Sequence, residues 1–271
     1  MSKLEQGFLR LVSGLRLRYS RMGDDGPTVV LLHGWPQTGY AWRRVIPTLA
    51  ASGYVAVAPD LRGCGDSDKP AGGYDALTRM EDVRELTSGL GLAEAPMFVV
   101  GHSSEGAAVA SAYASSHPDE VAGLALLSAV PSGLTGLAAD WHDGFHRTPD
   151  LPELLIAPHI AAYLRHFLHA WAHDPAAISE ADLAVYAAAL SQPGALRASL
   201  APFRVPLASS PVSAAVPKLR LLGESDPRFS LAASRDAGAE FQSIPRGGHW
   251  LPEERPDPVA AALLTFFGAN R

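Results

Sequence analysis

The stretch Met97-Phe98-Val99-Val100-Gly101-His102-Ser103-Ser104-Glu105-Gly106 decides how this chain is read. An apolar run of strand length ends in Gly-His-Ser and passes into a helix-like pattern over residues 107–116. A strand that turns sharply into a helix with serine at the apex holds that serine in a strained conformation, exposed above the sheet edge. Such a turn asks for small residues two before and two after the serine, because strand and helix backbones pass closely there. Two registers compete. With Ser103 at the apex, Gly101 fits at minus two but Glu105 fills plus two; with Ser104 there, Gly106 fits at plus two but His102 fills minus two. The plain alternative is an ordinary strand-turn-helix connection with an incidental Ser-Ser pair.

Outward from this turn, the chain alternates buried strands with helical stretches. Phe8, Leu9, Leu11 and Val12, then Leu15, Leu17 and Tyr19, flank Ser13-Gly14 and predict an antiparallel hairpin. Continuous apolar runs predict strands at Thr28–Leu32, 54–58 and 97–100, and further strands follow at 121–128, 218–222 and 240–244. Helical pattern separates them at 40–51, 77–90, 104–116, 231–238 and 258–268. The fold class is α/β, a mostly parallel twisted sheet with helices on both faces. Between Ser128 and Lys218 no good strand appears, only amphipathic helical pattern at 151–157, 161–172, 180–190 and 194–201. Pro131 opens this insert, and Pro206, Pro211 and Pro217 close it. The chain thus divides into a core of residues 1–130 and 214–271 and a helical cap, or lid, of residues 131–213. Such a cap would cover the C-terminal edge of the sheet, where open α/β sheets bind ligands.

Three further phrases could serve the serine. His33-Gly34-Trp35-Pro36 follows the strand Thr28–Leu32, and a His-Gly turn there can aim backbone N–H groups at a developing oxyanion. Asp226 follows the strand at 218–222, where a carboxylate could orient an imidazole; Glu224 is a nearer-strand competitor. His249 follows the last strand in Gly247-Gly248-His249-Trp250, and the paired glycines permit a loop that reaches back over the sheet edge. A carboxylate at Glu105, beside the apex serine, could stabilise the charged form of His249.

Taken with these phrases, the chain resembles the epoxide hydrolase and fluoroacetate dehalogenase branch of the α/β-hydrolases. The resemblance is carried by His33-Gly-Trp-Pro-Gln-Thr38, Ala58-Pro-Asp-Leu-Arg-Gly63 through Gly65-Asp-Ser67, and Val100-Gly-His-Ser103. Trp141-His142 with Pro149-Asp-Leu-Pro-Glu153, and Ser191-Gln-Pro-Gly194-Ala-Leu-Arg197, resemble that branch too. The resemblance implies that the N–H groups of Trp35 and of the residue after the nucleophile hold an oxyanion, that Asp226 is the acid and that His249 is the base. It makes Trp141, His142 and Trp250 candidate pocket residues.

Two departures matter. The branch carries aspartate at the apex where this chain has serine, and the spacing from Gly101 to His117-Pro118 is one residue longer, which leaves Ser103 and Ser104 unseparated. Phe203 also stands near the cap's end where that branch suggests a tyrosine; Tyr163 and Tyr186 are the cap's tyrosines. An aspartate attacking an epoxide or C–halogen carbon gives an alkyl ester that water can hydrolyse. Serine attacking the same carbon gives an ether, which has no carbonyl and does not turn over. Serine suits acyl transfer instead. The expectation is therefore a Ser-His-Asp hydrolase acting on an ester, lactone or thioester of a small apolar substrate. The alternatives are an epoxide hydrolase-like enzyme with an altered mechanism, and a non-hydrolytic lyase, cyclase or binding protein on this scaffold.

Composition bounds the rest. With 22 basic against 28 acidic residues and a net charge of -6, no basic stripe suggests nucleic acid as a partner. No apolar run is long enough to span a membrane, and residues 1–10 lack the apolar core of a signal peptide, so the expected location is cytoplasmic. Cys64 is the only cysteine and lies in a turn. His142 and His146, and His169 and His173, are spaced to share a helix face, but without accompanying acidic or cysteine ligands no metal is expected. No motif calls for a cofactor. The expected partner is a small-molecule substrate, and a homo-oligomer is compatible with the sequence.

Overall fold

The computed structural model describes residues 3–129, 141–205, 212–228 and 238–270. Eight strands form one sheet: β1 (Glu5–Arg10), β2 (Arg16–Met22), β3 (Thr28–Leu32), β4 (Val55–Pro59), β5 (Met97–His102), β6 (Val121–Leu127), β7 (Lys218–Gly223) and β8 (Ala239–Ile244). Their order is β1-β2-β4-β3-β5-β6-β7-β8. The β1–β2 hairpin and the β2–β4 pair are antiparallel; every pair from β4 to β8 is parallel. Gly14, at φ 84°, supplies the left-handed residue that the hairpin turn needs.

Alternation within the buried strands sorts the core into two layers. Val29 and Leu31 face a layer with Trp42, Ile46, Leu49, Phe266 and Phe267; Val30 and Leu32 face Met80, Val83, Leu86, Val109 and Tyr113. Helices α1 (Ile46–Ala51) and α10 (Pro256–Ala269) thus cover one face, and α2 (Ala76–Gly89) and α3 (Ser103–Ser116) the other. A single helix over 40–51 does not form. Pro47, which has no N–H to give an earlier turn, stands at the second position of α1, and Gly39–Trp42 closes as a separate tighter turn. The helix expected at 231–238 lies outside the described residues but for Gly238, as do Pro131, Pro206 and Pro211.

Between β6 and β7 come α4 (Trp141–Arg147), α5 (Leu151–Ile156), α6 (Ile160–Ala170), α7 (Glu180–Leu190) and α8 (Ala195–Leu200). Ser179 and Asp182 form a reciprocal capping box that starts α7. Leu164, Phe167 and Leu168 of α6 pack with Leu183, Tyr186 and Leu190 of α7, and this cluster continues onto Trp35 and Trp250 of the sheet edge. Polar ties reinforce the seam. Arg43 bridges Asp182 at 2.6 Å and Glu253, on α9 (Leu251–Glu254), at 2.5 Å; Tyr186 donates to the same Glu253.

Strand order sets where chemistry can happen. From β3 the chain goes to β4 on one side, and it later returns as β5 on the other, so the connections after β3 and β5 diverge and leave a crevice at their C-terminal ends. Trp35 follows β3 and Ser103 follows β5, and both therefore open on that crevice.

Candidate active site

Ser103 is the first residue of α3, at φ 57°, a left-handed conformation that costs a non-glycine residue about 1–3 kcal/mol and persists where its surroundings over-determine it. Those surroundings are glycines. A Cβ on Gly101 would lie 2.5 Å from the Gly106 carbonyl oxygen, and one on Gly106 would lie 2.6 Å from the Leu32 oxygen and 2.8 Å from the His33 oxygen. A Cβ on Gly34 would press on the Ser103 Cβ at 2.4 Å. The small residues that let α3 cross the strands therefore stand at minus two and plus three from Ser103. Ser104, half-buried, is the second residue of α3, where its N–H has no acceptor within the helix.

His249 is fully buried and meets Ser103 and Asp226 at once: its Nε2 is 3.1 Å from Ser103 Oγ, and its Nδ1 is 2.9 Å from Asp226 Oδ2. The carboxylate accepts only, so Nδ1 carries the proton and Nε2 is left to accept from the serine hydroxyl. The loop that carries His249 passes tightly through the glycine pair, where a Cβ on Gly248 would meet the His173 nitrogen at 2.4 Å. Two hydrogen bonds then fix its backbone: His249 N–H donates to the Trp171 carbonyl at 2.8 Å, and the His249 carbonyl accepts from His102 Nε2 at 2.8 Å. Trp250, also fully buried, stands against the His249 ring at 4.7 Å and stacks on Trp171 at 5.9 Å.

Asp226 caps the turn after β7. Burial pushes its carboxyl up, but the His249 ring and the backbone N–H of Arg228 more than offset this and hold it below the usual carboxylate range. Glu224 is exposed and accepts from Ser243 at 3.2 Å, away from His249. The Arg228 guanidinium lies 3.2 Å from His249 Nε2 and 5.0 Å over the Trp171 ring. Neither Arg228 nor His102 was singled out by sequence reasoning as a partner of His249. His102 had a signal in its place beside the apex serine; Arg228 had none, because a loop brings it there.

On the other side of Ser103, His33 is a bridge within the β3 loop. Its Nε2 accepts from Leu61 N–H at 3.0 Å and its Nδ1 donates to the Gly34 carbonyl at 3.0 Å, while burial lowers its pKa to about 4 and keeps it neutral. It shapes the Gly34-Trp35 turn. The Trp35 N–H donates to Glu105 Oε2 at 3.3 Å, and burial raises the Glu105 carboxyl. The Trp35 ring faces the helical insert, edge-on to His146 at 4.6 Å, Phe167 at 5.2 Å and Phe203 at 5.9 Å. His142 is buried among Phe167 and Trp171, whereas Trp141 is 61 % exposed and stacks on the outside of Phe167. Cys64 is partly buried, and its thiol is pushed up to about 11 by burial, so it is not a thiolate at neutral pH.

Known proteins with this architecture are numerous. A soluble epoxide hydrolase of Corynebacterium sp. (strain C12) is 35% identical over 96% of this chain and 96% of its own length. A fluoroacetate dehalogenase of Burkholderia sp is 31% identical over 92% of this chain and 90% of its own. The ligand-free structure of the epoxide hydrolase CorEH superposes with a TM-score of 0.87 at 31% identity, covering 99% of this chain and all of that one. The model of the alpha/beta hydrolase family matches residues 29–262, a span that runs from β3 to α10 and takes in every residue of the site. This chain belongs to the alpha/beta hydrolase family and is a hydrolase.

Proposed function

We propose that the enzyme is a serine hydrolase acting on an ester, lactone or thioester of a small, mostly apolar acyl substrate. Ser103 is its nucleophile, His249 its general base and Asp226 the group that holds the imidazole. The observation that carries this reading is the unbroken chain from Ser103 Oγ through both nitrogens of His249 to Asp226, at 3.1 and 2.9 Å, with the serine already in a left-handed apex. Ser103 Oγ attacks the carbonyl carbon as its proton passes to His249 Nε2. The negative oxygen is held by the N–H groups of Ser104 and Trp35. Collapse expels the alcohol or thiol, which takes the proton from His249. Water, deprotonated by the same nitrogen, then releases the acid. Phe167, Phe203 and Tyr163, gathered around Trp35, give the acyl chain an apolar wall.

The test is intact mass after exposure to a fluorophosphonate, with peptide mapping of residues 97–116. A single adduct on Ser103, retained in Ser104→Ala and lost in Ser103→Ala, is expected. An unlabelled wild-type protein would sink the reading. One observation favours epoxide opening as a second reading, the full-length similarity to a soluble epoxide hydrolase. It requires water, rather than serine, to attack the epoxide. A Ser103→Ala variant that still forms diol from styrene oxide would select it.

A further inference from the structure

The Trp35 N–H, assigned above to the oxyanion, is already occupied by Glu105 Oε2 at 3.3 Å. A substrate oxygen can use that donor only if the carboxylate leaves. Arg79 of α2 provides somewhere to go. It is 4 % exposed, and among the described residues its guanidinium makes no hydrogen bond or ion pair; its Nε is buried without an acceptor. Buried charges are ordinarily paired, and an unpaired arginine in a protein interior is costly. Arg79 and Glu105 line the same small cavity of about 20 Å³, together with Gly34, Trp35, Cys64 and Tyr186. Burial works against both charges there, raising the Glu105 carboxyl and lowering the Arg79 guanidinium.

We infer that Glu105 is a displaceable occupant of the oxyanion turn, which rests on the Trp35 N–H in the empty site and moves onto Arg79 when a substrate oxygen takes that N–H. This rests on the serine-hydrolase reading and adds a selectivity device to it. The exchange is a rotation of the Glu105 side chain toward Arg79, with α2 and α3 staying in place. The ion pair formed with Arg79 offsets the backbone hydrogen bond given up. A ligand without a strong oxygen acceptor cannot drive the exchange, so the pair selects carbonyl-bearing substrates over apolar molecules of the same shape. Arg79 is a positioning residue that acts only through Glu105.

The experiment is the second-order rate of fluorophosphonate labelling at Ser103, since the phosphoryl oxygen needs the same donors, on variants shown by melting to be folded. One oxyanion donor is worth about 100-fold or more in rate, so clearing it speeds labelling of Glu105→Ala by about tenfold or more. Glu105→Gln, a neutral and weaker occupant of the same size, is faster than wild type by less. Arg79→Met is slower than wild type, and the Arg79→Met/Glu105→Ala double variant labels as fast as Glu105→Ala alone. A double variant as slow as Arg79→Met would show that Arg79 acts on the fold instead, and overturns the inference. So does a Glu105→Ala protein no faster than a labelled wild type, which leaves the serine reading standing. No label on the wild type overturns both.

Discussion

Ser103 and Ser104 carry the same side chain one position apart, and only Ser103 lies within hydrogen-bonding distance of His249. The order of serine, aspartate and histidine along the chain was legible because each follows an apolar strand. Which serine meets the imidazole was not legible, because it depends on where the backbone turns left-handed, and both registers satisfy half the glycine rule. Arg79 and Arg228 escaped for a related reason: each is one arginine among ordinary charged residues, and only the fold buries the first and brings the second to His249. Asp226 allows a sharp test. Asparagine there is nearly isosteric, but its amide donates to Nδ1 and forces the proton onto Nε2, which can then no longer accept from the serine. Asp226→Asn should lower kcat on an activated ester by about four orders of magnitude with little change in the melting temperature. A loss of tenfold or less, read by stopped assay on the purified variant, would remove Asp226 from the mechanism.

At the scale of elements, the turn between β5 and α3 tolerates Glu105 because the demand for a small residue falls one position later. The Glu105 side chain points to Trp35, while Gly106 lies against the Leu32 and His33 carbonyls. Backbone atoms cannot yield as side chains do, so Gly106→Ala has to push α3 away from β3. The expected cost is about 1–3 kcal/mol of stability, as for other overpacked sites, together with loss of the Ser103–His249 contact and of labelling at Ser103. Denaturant melts and the labelling rate check the two halves of this expectation separately. Strands were the most legible elements, since parallel strands covered on both faces must be apolar throughout. The stretch at 40–51 misled because its periodicity is helical, while Pro47 dictates where a helix can begin. Trp141 misled differently: an aromatic residue on an insert helix can face either way, and here it faces outward.

The whole molecule carries a liability at low pH. His33, His102 and His146 are held neutral, with pKa values lowered to about 4, 3 and 3, chiefly by burial. Each is a base whose folded value lies below its unfolded value of about 6.5. The unfolded chain therefore takes up protons that the folded one refuses, and stability is full above pH 6.5 and falls as the pH drops toward 4. Each histidine contributes a slope of about 1.4 kcal/mol per pH unit in that window, so the three together give about 4. Guanidinium melts between pH 7 and pH 5 should show this fall, and His146→Gln should reduce its slope by about a third; a stability flat across that range would contradict it. A different property of the whole follows from the strand order. Every group proposed to make or break bonds leaves the sheet from β3, β5, β7 or β8, whereas most of the wall around Trp35 comes from one uninterrupted length of chain between β6 and β7. The reacting groups and most of that wall thus lie in separate segments, and exchanging the one segment would remodel the wall while leaving the reacting groups in place, provided Asp182 arrived with it to meet Arg43.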